Sequence, residues 1–202
     1  MKRTFPCHCC GFLTLSEPGF GTFEICAVCF WEDDPVQNED PSFAGGANRE
    51  SLNEARRNYI DHGAAELACV NDVRAPRLEE VPRSDAFTFY SGDHSGKARM
   101  VLLGVVRAIL AEQISPLAGS AAAASVAATL ETQGTLGDAL RVFRAVAGEI
   151  DGMPTGKVRQ EWSAHALAVM DDEYRDYEQR VRASVLEACR LAQAAPVEEP
   201  PR

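Results

Sequence analysis

No stretch of this sequence is apolar for long enough to cross a membrane. The two most apolar runs, residues 100–110 and 116–130, are broken by Arg107, Glu112 and Gln113. Neither reaches the ~20 apolar residues that a helical span requires. An export signal is missing as well, because Lys2 and Arg3 lead into Phe5-Pro6-Cys7-His8 rather than into an apolar run. These absences predict a cytoplasmic protein with no membrane partner. Positive charge is scarce too: 20 basic residues face 30 acidic ones, for a formal charge of −10. Up to Arg83 the chain carries 8 basic and 14 acidic residues, and beyond it 12 and 16. Such a surface repels phosphate backbones and attracts basic partners over the roughly 8–10 Å that salt permits. The expectation is a basic protein partner, with nucleic acid disfavoured.

Catalytic signatures are also absent. There is no G-x-S-x-G elbow, no H-E-x-x-H and no G-x-x-x-x-G-K-S/T loop. Asp93-His94-Ser95 holds the residue types of a hydrolase triad, but adjacent residues do not readily adopt triad geometry. That stretch reads as a loop entering a helix. Glu149 and Asp151 with Arg159 and Trp162 offer a recognition corner, against the simpler reading of salt-bridged packing at a helix junction. His165 reads as packed or exposed rather than as a ligand, and the acidic run 171–173 as a solvated face. No residue is assigned a catalytic role.

What the sequence does have is clustered cysteine. "CHCCGFLTLSEPGFGTFEICAVCFWEDD", residues 7–34, holds five of the seven cysteines. An odd count without an export signal favours metal or catalytic use over disulfides. Cys7 and Cys10 are separated by two residues, as are Cys26 and Cys29, and 15 residues lie between the pairs. A four-residue turn can aim two sulfurs at one ion about 2.3 Å away, and two such turns complete a tetrahedron. A thioredoxin-like motif needs a single C-x-x-C opening a helix, and a catalytic zinc keeps one position open. Cys7, Cys10, Cys26 and Cys29 are therefore read as ligands of one structural zinc ion. Gly11 gives the first turn its backbone freedom. Cys9 is a fifth thiol, read as part of the turn, with the roles of alternative ligand or redox partner left open. His8 is not needed as a ligand.

Leu13-Thr14-Leu15 and Thr22-Phe23-Glu24-Ile25 flank the turn-rich "SEPGFG", which predicts a hairpin joining the two cysteine pairs. Residues 34–48 are loop by composition. Ser51 with Glu54 forms a capping box for a helix bearing Leu52, Ala55 and Tyr59 and closed by Gly63. Further on, Met100, Leu103, Val106, Ile109 and Leu110 share one helical face, and Leu140, Phe143 and Val146 another. An alanine-rich helix lies between those two. A last segment sets Val158, Trp162, Ala166, Val169, Tyr177, Val181, Val185 and Cys189 on an apolar side. The predicted class is α+β: a zinc-ribbon-like hairpin module with one helix (1–82), a linker (83–95), an α-helical bundle (96–194) and a disordered tail (195–202).

"CHCCGF", "FEICAVCFWEDD", "GGANRESLNEARRNY" and "VRAP" together resemble the cysteine-rich CPCC family of bacterial proteins over about residues 4–80. The resemblance implies a zinc-binding domain of undefined biochemical activity, with Cys7, Cys10, Cys26 and Cys29 at the ligand positions. His8 and Ala27 stand where the family usually has proline, which removes two φ constraints from the turns but no ligand.

The leading functional expectation is a non-enzymatic zinc-binding interaction protein, in one version an immunity- or antitoxin-like inhibitor of a basic toxin or nuclease. The alternative is a zinc-ribbon nucleic-acid-binding or regulatory protein using Arg56, Arg57, Arg74, Arg77 and Arg83. In "WEDD", residues 31–34, three carboxylates offer a basic partner or a hard cation a landing site. The simpler reading has Trp31 covering the metal while the acids stay solvated or cap a turn. Arg56 and Arg57 are read as solvent-facing or paired with residues 32–34. Gly45-Gly46-Ala47-Asn48 is read as a turn rather than a phosphate cradle.

Overall fold

A C-x-x-C turn reverses the chain within a few residues, and the N-terminal architecture follows from that. In the computed structural model, which describes residues 4–18, 21–83, 94–130, 134–151 and 161–196, strands β1 (Phe5–Pro6) and β2 (Leu13–Leu15) run antiparallel on either side of the first cysteine pair. Phe5 lies opposite Leu15 and Pro6 opposite Leu13. The second pair is flanked by a single bridge between Ile25 and Glu32. The expected hairpin is thus corrected: β2 exists, but it pairs with β1 and not with residues 22–25. Each cysteine turn closes its own ladder, so the "SEPGFG" stretch is a connection between two reversals. Gly19 and Phe20 in that stretch lie outside the described residues, as do linker positions 84–93, the segment 152–160 with Val158 and Arg159, and the tail after residue 196.

The stretch read as loop contains helix α1 (Pro35–Glu39), with Asp34 accepting from the amides of Val36 and Gln37 and Pro35 in the first turn. Five residues are too few for periodicity to register. Helix α2 (Leu52–His62) follows expectation, with the Ser51–Glu54 capping box, buried Leu52, Ala55 and Tyr59, and a left-handed Gly63 at its end.

Helix α3 (His94–Leu110) departs from the one-faced reading. Lys97 through Val106, Ala108 and Ile109 are all buried. A helix buried on nearly every side is an internal helix, and α3 has the cysteine module on one side and helices on the other. Helix α4 (Pro116–Ala127) is the alanine-rich segment, capped by Ser115. Its Gly119 meets the Ile109 side chain, where a Cβ would lie 2.5 Å from Cδ1. Helix α5 (Gly134–Glu149) buries Leu140, Phe143 and Val146 as expected. Helix α6 (Ala164–Ala194), capped by Ser163, has 31 residues, a length of about 46 Å. Its apolar stripe is covered only toward the C-terminal end. Val185, Ala188, Cys189 and Ala192 are buried, whereas Val169 in the helix is 47% exposed and Trp162, just before it, 42%. The last turn is held by the buried Arg99, whose Nη2 donates to the carbonyls of Ala192 and Ala195 at 2.6 and 2.9 Å. Those carbonyls have no partner within the helix.

The buried side chains form one cluster running from the cysteines through Phe12, Trp31 and Tyr59 into α3 and on to α4, α5 and α6. The junction is close. Val101 lies against Gly11, and a Cβ on Gly104 would lie 2.7 Å from the Phe12 ring and collide with the Tyr59 hydroxyl. Arg107 stacks over Tyr59 at 5.3 Å and donates to the Ile60 carbonyl. Among the described residues no helix is long and apolar enough to cross a membrane.

Candidate metal centre

The two cysteine turns are built alike. In the first, Cys7 N donates to Phe12 O at 2.8 Å and Gly11 N to Cys7 O at 3.0 Å. In the second, Cys26 N donates to Trp31 O at 2.9 Å and Phe30 N to Cys26 O at 2.8 Å. The residue after each second cysteine is left-handed, with φ +84° at Gly11 and +69° at Phe30. This backbone exposes the loop amides toward the sulfurs, and Val28 N lies 3.4 Å from Cys26 Sγ.

The turns face each other. The Sγ atoms of Cys7, Cys10, Cys26 and Cys29 all lie within 4.8 Å of one another, and all four residues are buried. Cys7 and Cys29 approach to 3.6 Å, Cys10 and Cys26 to 3.7 Å. A tetrahedron with metal–sulfur bonds of about 2.3 Å has edges of about 3.8 Å, so the donor set is sized for one ion. Four soft donors suit a thiophilic metal. Burial raises the Cys7 thiol and pushes Cys10 and Cys29 well above the ordinary thiol range. Burial opposes a thiolate at Cys26 too, but hydrogen bonds from Cys10, Cys29, Cys7 and Thr14 outweigh it and bring that thiol well below. Thr14 Oγ1, on β2, donates to Cys26 Sγ at 3.1 Å. One turn's strand thereby supports the other turn's sulfur. Cys9 is fully buried beside Cys29 but outside the quartet.

A polar layer behind the quartet escaped the sequence reading. His8 Nδ1 lies 3.0 Å from Asp33 Oδ1, linking the first turn to the strand leaving the second. Asn38 Nδ2 donates to the same oxygen at 2.7 Å, and Gly21 N, Thr22 N and Thr22 Oγ1 donate to Oδ2 at 3.1, 2.9 and 2.9 Å. Burial disfavours the Asp33 carboxylate, but the donors from His8, Thr22 and Asn38 prevail and hold it well below the usual range. Asp34, also buried, caps α1 and accepts from Ala47 N at 2.7 Å. The reading of the "WEDD" acids as solvated or capping is therefore corrected at Asp33, which is buried in a hydrogen-bond network; Asp34 caps as that reading allowed, and Glu32 is partly exposed. Trp31 is buried and donates from Nε1 to Asn38 Oδ1 at 3.3 Å.

Gln37 occupies the centre of the loop that follows, donating to the carbonyls of Phe43, Asn48 and Glu50 and accepting from Asn48. Asn48 in turn pairs with both backbone groups of Glu32. Two amides of "GGAN", those of Ala47 and Asn48, are thus spent on Asp34 and Gln37. The only signal for this network in the sequence was amide and carboxylate side chains in a glycine-rich loop, which composition reads as solvated. Arg56 donates to the His8 carbonyl from Nε and Nη2 at 3.3 and 3.0 Å. Arg57 is exposed. Ala65 N donates to Cys29 O at 2.6 Å and Arg74 N to Ala27 O at 3.0 Å, so the segments after α2 clasp the second turn. Glu149, Asp151 and His165 are exposed. Cys189, buried in α6, has its thiol pushed up to about 12 by burial.

Residues 5–80 match the family model described as Cysteine-rich CPCC. The match spans both turns, α1, α2 and the residues that clasp them, and stops before α3. No curated protein matches the chain.

Proposed function

With residues 5–80 a cysteine-rich CPCC domain as the premise, we propose that Cys7, Cys10, Cys26 and Cys29 hold one structural zinc ion in a non-enzymatic, cytoplasmic interaction protein. The observation that carries this reading is the closed donor set: four buried thiols at tetrahedral spacing leave no coordination position for water or substrate. Bound there, zinc would supply a positive charge that lets all four thiols ionise together. The chain's own residues set the rest: Thr14 Oγ1 and Val28 N donate to Cys26, and the His8–Asp33 pair fixes the spacing of the turns.

The partner we propose is a basic protein, in the manner of an immunity or antitoxin protein that inhibits a basic toxin or nuclease. The formal charge of −10 supports it. The nucleic-acid reading draws less support. Arg74 forms a forked pair with Glu80 at 2.8 and 2.5 Å and Arg56 is committed to His8, which takes two cations from the patch that reading needs. Native mass spectrometry of the purified protein should find one zinc per chain. A metal-free folded protein with two disulfides overturns the metal assignment. Co-expression with the products of neighbouring genes should reveal a basic partner from whose toxicity the protein protects. No binding to any of them at micromolar concentration overturns the inhibitor assignment.

A further inference from the structure

Where α6 passes the end of α5, its buried stripe opens into a cleft of about 800 Å³ whose lining includes Glu149, Met170, Glu173, Tyr174, Asp176 and Tyr177. Met170, Tyr174 and Tyr177 continue at helical spacing the face that buries Val181 and Val185 deeper in the core. The change along the stripe is chemical. Aliphatic side chains give way to two half-buried tyrosines and a methionine, and carboxylates stand around them. Glu149, Glu173 and Asp176 have no ion pair among the described residues. Residues 161–180 hold six acidic side chains against two arginines, so the field over the cleft is negative. Burial raises the hydroxyls of Tyr174 and Tyr177, with Glu173 and Glu149 adding to it, so both rings stay neutral and keep their π faces.

The protein already shows what these rings accept. The guanidinium of Arg180, which also lines the cleft, lies 5.5 Å from the centre of the Tyr177 ring. A planar cation over a tyrosine is stabilised by the ring quadrupole, and a guanidinium also pairs with carboxylates in a forked geometry that an ammonium cannot match. We propose that this cleft is the docking surface for an arginine-bearing segment of a protein partner. One guanidinium stacks on Tyr174 beside the Arg180–Tyr177 pair, and Glu149, Glu173 and Asp176 neutralise the incoming charge. The proposal rests on the basic-partner reading above and assigns it a place, on the helical part rather than on the metal module.

The test uses the full zinc-loaded chain and a fluorescein-labelled octa-arginine peptide, followed by anisotropy at moderate salt. Binding is expected in the micromolar range. The double variant Glu149→Gln/Glu173→Gln should weaken it about tenfold or more. Glu39→Gln/Glu79→Gln removes the same charge from exposed sites in the metal module and should change it by less than about twofold. Tyr174→Leu keeps the apolar bulk but loses the π face, and should cost about threefold. Should a cleft variant lose helicity, hydrogen exchange on the unmodified protein replaces it, with peptide-induced protection expected in residues 168–180. Equal weakening by both double variants, or protection elsewhere, overturns the cleft and leaves the basic-partner reading standing. No binding at about 100 μM peptide overturns both.

Discussion

The two cysteine turns share a hydrogen-bond pattern and differ in what surrounds them. The first is pressed into the core: Gly11 touches Val101 of α3, and His8, Cys9 and Cys10 are all buried. The second lies nearer the surface, with Ala27 exposed, Phe30 half-buried and Ile25 53% exposed. The first turn favours glycine at its left-handed position because α3 crowds it: a Cβ there would lie 3.0 Å from Val101 Cγ2. The second tolerates Phe30 there, at a backbone cost of about 1–2 kcal/mol, because solvent and loop leave space for the ring. One backbone solution for aiming two sulfurs thus serves two environments, and the residue at the left-handed position records which environment it is.

The largest test of the comparison removes a ligand. Cys10→Ser and Cys26→Ser should each abolish metal binding, read as zinc per chain, with the loss of a large part of the roughly 10 kcal/mol or more that a structural site can supply. Cys9→Ser should leave the stoichiometry at one, and a drop there would make Cys9 a fifth participant. Next comes the link between the turns. Asp33→Asn keeps the shape but loses the charge that accepts from His8, Thr22 and Asn38, and should cost about 2–3 kcal/mol in chemical denaturation of the metal-bound protein. Because the folded Asp33 ionises well below the ordinary aspartate range, its contribution is complete above the unfolded value of about 3.9. It is lost only as pH falls through the lower folded value. The stability gap between protein and variant should therefore hold constant from pH 7 to pH 5. The smallest effects lie at the left-handed positions. Gly11→Ala should cost about 1–3 kcal/mol, from backbone strain and the Val101 contact 3.0 Å from the new Cβ. Phe30→Gly, which relieves strain while giving up a half-buried ring, should stay within about 1 kcal/mol of neutral. Equal losses at the two sites would show that the turns do not differ as their surroundings suggest.

The sequence was most legible where a local rule sets the structure. The cysteine spacing placed four sulfurs together, the Ser51–Glu54 box and Gly63 marked both ends of α2, and Leu140, Phe143 and Val146 marked the buried face of α5. It was less legible where the outcome depends on what packs from elsewhere. Residues 13–15 carry strand character but not the identity of their partner, which the first cysteine turn decides. α3 is buried on nearly every side, and its apparent single face was a choice of residues from a helix with almost no exposed one. The capping role open to Asp34 is a local one, whereas the carboxylate of Asp33 looks solvated in sequence because nothing local shows five donors converging on it. Gln37 and Asn48 are the same case, polar residues whose burial is decided by a loop folding back on itself. His8 and Ala27, in place of the two prolines of the related pattern, are each tied down here by a contact: His8 by Asp33 and Ala27 by Arg74.

Gly104 carries no functional group and lies in a helix far along the chain from the last cysteine of the quartet, yet the Phe12 ring and the Tyr59 hydroxyl close over it. If the quartet holds the proposed zinc, a genetic screen scored only on cellular metal retention should recover substitutions at position 104 alongside those at the cysteines. Read by phenotype, they would be mistaken for ligand mutants. The set of residues that shapes the cysteine quartet is wider than the four cysteines, and it extends beyond residues 5–80.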